Sequence, residues 1–457
     1  LSSYPSACTV TPSLSHHSFI HALEPPITNS HPLRRGALSL SLLLVKSTMV
    51  SKSSRGPGMT AGGSEAEEAL LLPEHEVGDP AGAAPGNASV LGAVFNVSTS
   101  VVGAGIMSIP AAMRVLGVAP ALALIVGVAL LANVAVDFML RYTRGTPSYA
   151  ALMGGSFGRA GAKLLNVFIA FNCVGTLTVY LIIIDSLRYT SALSILLAAV
   201  FMLITMGIAV YTVFTGTAKM PRMLPDFSTL ASPFELFTAV PVIVVAFTFH
   251  FNVHPIRAEL SKTSDMKSAV RISLVLCAAI YAAVGFFGFL LFGDATMPDV
   301  LANFDRSSGS GVPQALNDAA RLSYALHLVL VFPLLHYSLR VNVDELLFPG
   351  RRPLAADTRR FVALTAVLMG LLYALAIAIP SIWTLFQYSG STFAVCISLI
   401  FPGAIVLRDV HGIAKRKDKA MAAMMITLAV ITSSIAIASN VMSSIKGEVK
   451  GVSAGAS

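Results

Sequence analysis

The chain has 457 residues, of which 12% are charged and 55% apolar, with a formal net charge of +8 and a mean hydropathy of +0.75. So few charges cannot coat a soluble globule, and a disordered chain needs the opposite composition, so both classes are excluded. An all-α polytopic membrane protein remains, and the apolar runs are long enough to supply it.

Residues 1–48 mix Ser, Pro and His around one apolar run, Ala37–Val45, which follows Arg34 and Arg35. That layout resembles a signal peptide, but the run is short and no convincing small-residue cleavage site follows. The segment reads as a non-native or untranslated leader ahead of Met49. Residues 49–88 are polar and rich in Gly, Ala and Glu, and read as a disordered cytoplasmic tail.

The membrane domain is expected over residues 89–445, with a short tail at 446–457. A bilayer core needs about 20 apolar helical residues per crossing. Span one is Ser89–Met113, span two Val115–Val136 and span three Leu164–Ile184. Tyr189–Ala218 holds a fourth, ending near Phe214. Leu236–Ile256 is a fifth, Ile272–Gly293 a sixth and Leu322–Leu339 a seventh. Phe361–Leu407 has no charge and fits two spans turning at Pro380. Ala420–Ile445 is the tenth.

Basic loops stay on the cytoplasmic side. Arg141–Lys163, Arg257–Arg271, Arg340–Arg360 and Arg408–Lys419 are all net basic, whereas Asp294–Arg321 is acidic and suits the far side. The N-terminus is then cytoplasmic. One conflict results. Two loops on one side need an even number of crossings between them, yet three lie between Arg141–Lys163 and Arg257–Arg271. Only Asp185–Arg188 separates two of those runs.

Two spans carry chemistry. Span one holds Gly103, Gly105 and Pro110 after Ser98, Thr99 and Ser100, which is poor helix material at membrane depth. Irregular backbone survives in hydrocarbon only where it is buried in protein or lines a cavity. A broken helix offers N–H groups to a carboxylate and carbonyls to an amine or cation. The two glycines are expected to let backbone approach a ligand and to take conformations closed to other residues. Small residues also serve plain helix packing. Span five contains His250, Asn252, His254 and Pro255. The proline frees a carbonyl one turn back. His250 could carry a proton or simply bond between helices. His254, nearer the interface, reads as structural. Asp137 and Arg141, four apart, read as a helix-end ion pair, and His327 as a weaker relay candidate than His250.

The basic residues sit in short loops, which argues for membrane orientation and against nucleic acid. Of Cys8, Cys173, Cys277 and Cys396, three lie in apolar runs and none forms a CxxC, so neither a disulfide framework nor a thiolate metal site is expected. No nucleophile elbow, HExxH or phosphate loop occurs, and no enzyme activity or cofactor is expected.

The stretches FNVSTSVVGAGIMSIPAAM (95–113) and AFTFHFNVHPIRAEL (246–260) resemble the amino acid/auxin permease family, above all its plant vacuolar or neutral amino acid transporters, related to the system A and N carriers. The resemblance runs from about Ser89 to Val441. It implies a leucine-transporter-like fold with eleven spans, two inverted five-helix repeats and alternating access. The substrate would lie between the family's broken helices one and six, here spans one and five. The family also has a fourth span where Ile184 here runs directly into Asp185–Thr190, so one helix and about 50 residues look absent. Sodium-coupled relatives place Asn where Thr99 stands and Thr near Val329 or Val331, which disfavours Na+ and favours H+. Arg257 replaces the Tyr common after Pro-Ile.

The resulting expectation is a secondary active amino acid transporter in the vacuolar or plasma membrane. Thr99, Ser100, Val102, Gly103, Gly105, His250 and Asn252 would bind substrate, with His250 and His327 as proton-coupling candidates. The alternative is a membrane amino acid sensor, or an inactive shortened isoform that modulates a full-length carrier.

Overall fold

The computed structural model describes residues 89–455 except 144, 147, 186–193, 217–219, 228–232, 307–313 and 380. The expected leader, the tail 49–88, most of the junction after Ile184 and the turn at Pro380 lie outside the described residues.

Among the described residues the elements are helical and no strand occurs. Helix α1 is Val90–Val101. A 3-10 turn, Ala104–Ser108, leads into α2, Ile109–Leu116. Then come α3, Val118–Tyr142; α4, Tyr149–Asp185; and α5, Ser194–Phe214. The fifth span is built from a 3-10 turn Pro233–Thr238, α6 Ala239–Ala246, a 3-10 turn His250–Asn252 and α7 Val253–Glu259. Helix α8 is Met266–Phe292, α9 the short Val300–Arg306, α10 Gln314–Leu347 and α11 Thr358–Ala378. The ninth expected span runs through α12, Ile382–Ser389, two π-helical turns and α13, Phe401–Arg408; α14 is Arg416–Gly455. Eight described stretches are long and apolar enough to cross a bilayer, or up to nine if the bent α1–α2 pair is one span. The apolar stretch Val200–Phe214 of α5 is shorter.

Local chemistry sets the ends. Ser89 caps α1 by accepting from the Gly92 N–H at 3.1 Å. Between α2 and α3, Gly117 turns the chain at φ 77°, and a Cβ there would strike the Leu224 backbone. Only glycine fits such a corner. One expectation needs correction. Most of the basic stretch Arg141–Lys163 is helix, because α4 starts at Tyr149 rather than Leu164. Tyr149, Ala150, Leu152 and Met153 give this extension a buried face, while Arg159 and Lys163 ride exposed on its outside. A kink at Gly158, φ 71°, joins the extension to the membrane part.

Two long helices organise the packing. Helix α8 lies against α1, α2, α3 and α5, and α10 lies against α4 and α5, so α5 touches both. Side chains identify the two ends of the bundle. At one end Asn96 donates to Glu259 at 3.0 Å, Lys267 pairs with Asp137 at 2.6 Å, and Arg141 with Asp418 at 3.0 Å. Arg141 also pairs with Asp137 at 2.6 Å, the ion pair expected from their spacing. At the other end Arg222 meets Asp294 at 2.7 Å and donates to the Arg114 carbonyl at 3.2 Å. The basic stretches gather at the first end, called here the near face.

Candidate functional site

Two helices are interrupted at the same depth. In the first, α1 stops at Val101, Val102 and Gly103 are extended, and α2 resumes at Ile109 with Pro110 in its first turn. The two halves bend by 53°. In the second, α6 stops at Ala246 and regular helix returns only at Val253. The interruptions touch. A Cβ on Gly105 would lie 2.9 Å from both Cα and Cβ of Ala246. Asn252 donates to the Ser100 hydroxyl at 3.2 Å and accepts from Ser338 of α10 at 3.1 Å.

The break in the first helix exposes three successive carbonyls, and each has a side-chain partner. Tyr281 of α8 donates to Val101 at 2.6 Å. His327 Nε2 lies 3.0 Å from the Val102 oxygen. Because a carbonyl only accepts, that nitrogen carries a proton. Tyr324 donates to Gly103 at 2.6 Å, and that carbonyl also accepts from the Ile106 N–H at 3.1 Å. The Tyr281 hydroxyl is also 2.9 Å from the Ala246 carbonyl, so one phenol serves both breaks. Tyr281, Tyr324 and His327 are fully buried.

The sequence-expected residues fare differently. Ser100, Gly105 and Asn252 come together, and Val102 and Gly103 meet His327 and Tyr324. The Thr99 hydroxyl is turned back on the Phe95 carbonyl at 2.9 Å, within its own helix. His250 is fully buried beside Phe249; no described side chain bonds its ring, and its polar neighbour is the Ala132 backbone. No described contact joins it to the first break. His254 has the structural place expected of it. The Thr143 hydroxyl donates to Met139 at 2.7 Å, so His254 Nε2, 3.0 Å away, must donate to that oxygen.

The expected role of the glycines needs correction in one part. Neither Gly103, at φ −143°, nor Gly105 takes a positive φ. Gly105 is there for space, and at Gly103 the Tyr180 hydroxyl occupies the place of a side chain. Sequence reasoning missed Tyr180, Tyr281 and Tyr324. The available signal was a phenol inside an apolar helix, which needs a hydrogen-bond partner when buried.

This architecture defines a helical membrane protein with two facing broken helices. The chain matches the family described as transmembrane amino acid transporter protein over residues 86–190 and 183–445. It is 43% identical to the amino acid transporter AVT6C of Arabidopsis thaliana over 426 positions, covering 82% of this chain and 97% of that one. It is 44% identical to AVT6D of the same plant, covering 83% and 98%. It is 24% identical to the sodium-coupled neutral amino acid symporter 2 of Danio rerio, covering 75% and 81%. The chain belongs to the transmembrane amino acid transporter family.

These alignments contain unmatched positions. With AVT6C, 82% of 457 residues is about 375, against 426 aligned positions, so about 50 positions have no counterpart here. The family match itself breaks into two pieces that meet at 183–190.

Proposed function

We propose that this chain is a secondary active carrier of amino acids, holding substrate between the two facing breaks and exposing it alternately to each face. The observation that carries this reading is the contact of two interrupted apolar spans, Gly105 on Ala246 and Ser100 on Asn252. Irregular backbone at membrane depth is costly, and two such stretches meeting at one place fit a ligand site better than packing alone. The relatives' names, amino acid transporter and neutral amino acid symporter, support the substrate class. On this reading Thr99, Ser100, Val102, Gly103, Gly105, His250 and Asn252 line the site within a leucine-transporter-like inverted-repeat fold. The membrane is vacuolar or plasma, with the near face and the N-terminus cytoplasmic.

Protons are the proposed coupling ion, with His250 and His327 as the groups that carry them. The Thr99 hydroxyl is committed to its own helix, and Val329 and Val331 offer no side-chain oxygen to a hard cation. Labelled amino acid flux into proteoliposomes, measured on the chain with a crossing restored after Ile184, tests this. Flux should follow an imposed pH gradient and ignore sodium at fixed pH; a sodium-dependent rate overturns the coupling.

The chain is further proposed to lack one membrane crossing after Ile184. Three observations support this. The alignments lose about 50 positions, and the family match divides at that place. The hydrogen bond of Thr143 with His254 sets the ends of α3 and α7 on one face, although α4, α5 and α6–α7 lie between them. Only residues 186–193 separate α4 from α5, and eight residues would rise only about 12 Å as a helix, too few to cross a bilayer core of about 30 Å. Inverted repeats need matched helices, so this chain should transport poorly, and inserting the missing span after Ile184 should restore flux. The shortfall also favours a second reading, a sensor or shortened isoform that binds amino acid without moving it. Arg159→Cys and Ser264→Cys, both at exposed near-face positions, should label from the same side. Labelling from opposite sides, in a chain that transports unaided, removes the missing crossing.

A further inference from the structure

The carbonyls that a broken helix would offer to a substrate's ammonium group are already taken. Val102 and Gly103 hold the N–H of His327 and the O–H of Tyr324. Both donors come from α10. Tyr281 is different. It sits on α8, which packs along both halves of the broken span, and ties Val101 to Ala246. The two α10 donors are therefore the side-chain hydrogen bonds by which α10 holds the exposed backbone of the first break. A carbonyl short of donors in a dry interior is costly, and Val102 depends on its α10 donor more than Gly103 does, which also accepts from the Ile106 N–H.

We infer that Tyr324 and His327 act as internal stand-ins for the ammonium group of the substrate, and that ligand entry requires α10 to release Val102 and Gly103. The inference rests on the proposed amino acid site and adds a specificity device to it. An incoming ammonium has three donors and a full charge, and can replace the phenol and the imidazole at these oxygens. A ligand with a hydroxyl in place of the ammonium brings one neutral donor and competes poorly. Release also frees α10 from these two carbonyls, so occupancy and the position of α10 against the broken helix are coupled through these two bonds.

Removing a stand-in should tighten binding, the opposite of what removing a substrate contact does. The test is equilibrium binding of the twenty standard L-amino acids to the purified full chain in nanodiscs, with L-lactate beside L-alanine as the ammonium-free comparison. Tyr324→Phe keeps the ring and loses the donor, and should lower the Kd of amino acids about two- to tenfold, the size of one net neutral hydrogen bond. It should leave L-lactate unimproved. His327→Met should show a larger gain than His327→Gln, which keeps an N–H donor, so the inference does not depend on one variant folding. Binding by the parent chain with weaker or equal binding by Tyr324→Phe and His327→Met overturns the inference alone. No binding of any amino acid by parent or variants overturns the amino acid site and this inference with it.

Discussion

The two breaks solve the same problem in opposite ways. At Val101–Gly103 each freed carbonyl is capped by a buried side chain, from Tyr281, His327 or Tyr324. Near Phe247–Asn252 the polar groups are unevenly served. Asn252 bonds at both ends of its amide, whereas no described side chain bonds the buried His250 ring, which lies against the Ala132 backbone. The first break is thus closed by side chains from neighbouring helices, and the second leaves its histidine to the backbone.

The most damaging way to break this comparison is Gly105→Val. The new side chain would meet Ala246 backbone, which cannot yield as a flexible side chain does. Forced overpacking of this kind costs about 1–3 kcal/mol and here parts the two breaks. Amino acid binding should disappear while membrane insertion persists; normal binding would move the site elsewhere. Gly103→Val pushes against the Tyr180 hydroxyl, a side-chain end, and should abolish binding with a smaller loss of stability.

Asn252→Leu comes next. It removes the bridge from Ser100 to Ser338, while each hydroxyl keeps its carbonyl one turn back, at Asn96 and Leu334, so the cost is that of the lost net hydrogen bonds, about 1 kcal/mol. The thermal midpoint in detergent should fall; an unchanged midpoint would show that the second break does not lean on the first.

His250→Phe sharpens the contrast from the other side. With no side-chain hydrogen bond to lose and only the Ala132 backbone as a polar neighbour, the midpoint should stay within the equivalent of about 1 kcal/mol. In a chain carrying the restored crossing, pH-driven flux should be lost. A marked drop in stability would reveal a structural role and unseat His250 as proton carrier.

The smallest effects concern pH at the two ends. Ser108, closing the first break, donates to the Pro298 carbonyl at 2.7 Å, next to Asp299. Burial pushes the Asp299 carboxyl up to about 6, against the opposing pull of the Leu301 N–H and Arg321. A carboxyl raised above its ordinary value favours the fold while protonated. That contribution is full below the ordinary value and is lost as pH rises through about 6. Amide exchange in α9, corrected for its intrinsic rate, should quicken from pH 5 to 7, and Asp299→Asn should remove the change. The foot of the second break behaves differently. His254 meets Thr143, next to Tyr142, whose hydroxyl bonds Asp409 at 2.5 Å. The Tyr142 hydrogen bond, with Lys419 and the Ala414 and Ile413 N–H groups, holds Asp409 down to about 2. Its contribution is present above the ordinary carboxylate value and fades only as pH falls towards 2. Cysteine labelling at Lys415→Cys, corrected for thiolate fraction, should be flat across pH 5 to 7. A near-face step in that range would erase the distinction between the two ends.

Much of this was legible in one dimension. Membrane class, the approximate spans and the two interrupted segments follow from hydropathy and from glycine and proline at membrane depth, since lipid leaves a backbone few options. Charge parity around Ile184 was also legible, because loop charge and crossing number are linear properties of the chain. The helical start of α4 at Tyr149 was not, because a basic stretch reads as a loop until one face of it is seen to be buried. Which donors close the first break was likewise hidden. Tyr281, His327 and Tyr324 lie roughly 180 to 225 positions beyond the carbonyls they serve, and only packing of α8 and α10 on the broken helix brings them there. The residue types that a membrane tolerates were set by the sequence alone; the pairing of buried donors with freed carbonyls was decided by the tertiary structure, because an unsatisfied polar group in a dry interior finds its partner in space and not along the chain.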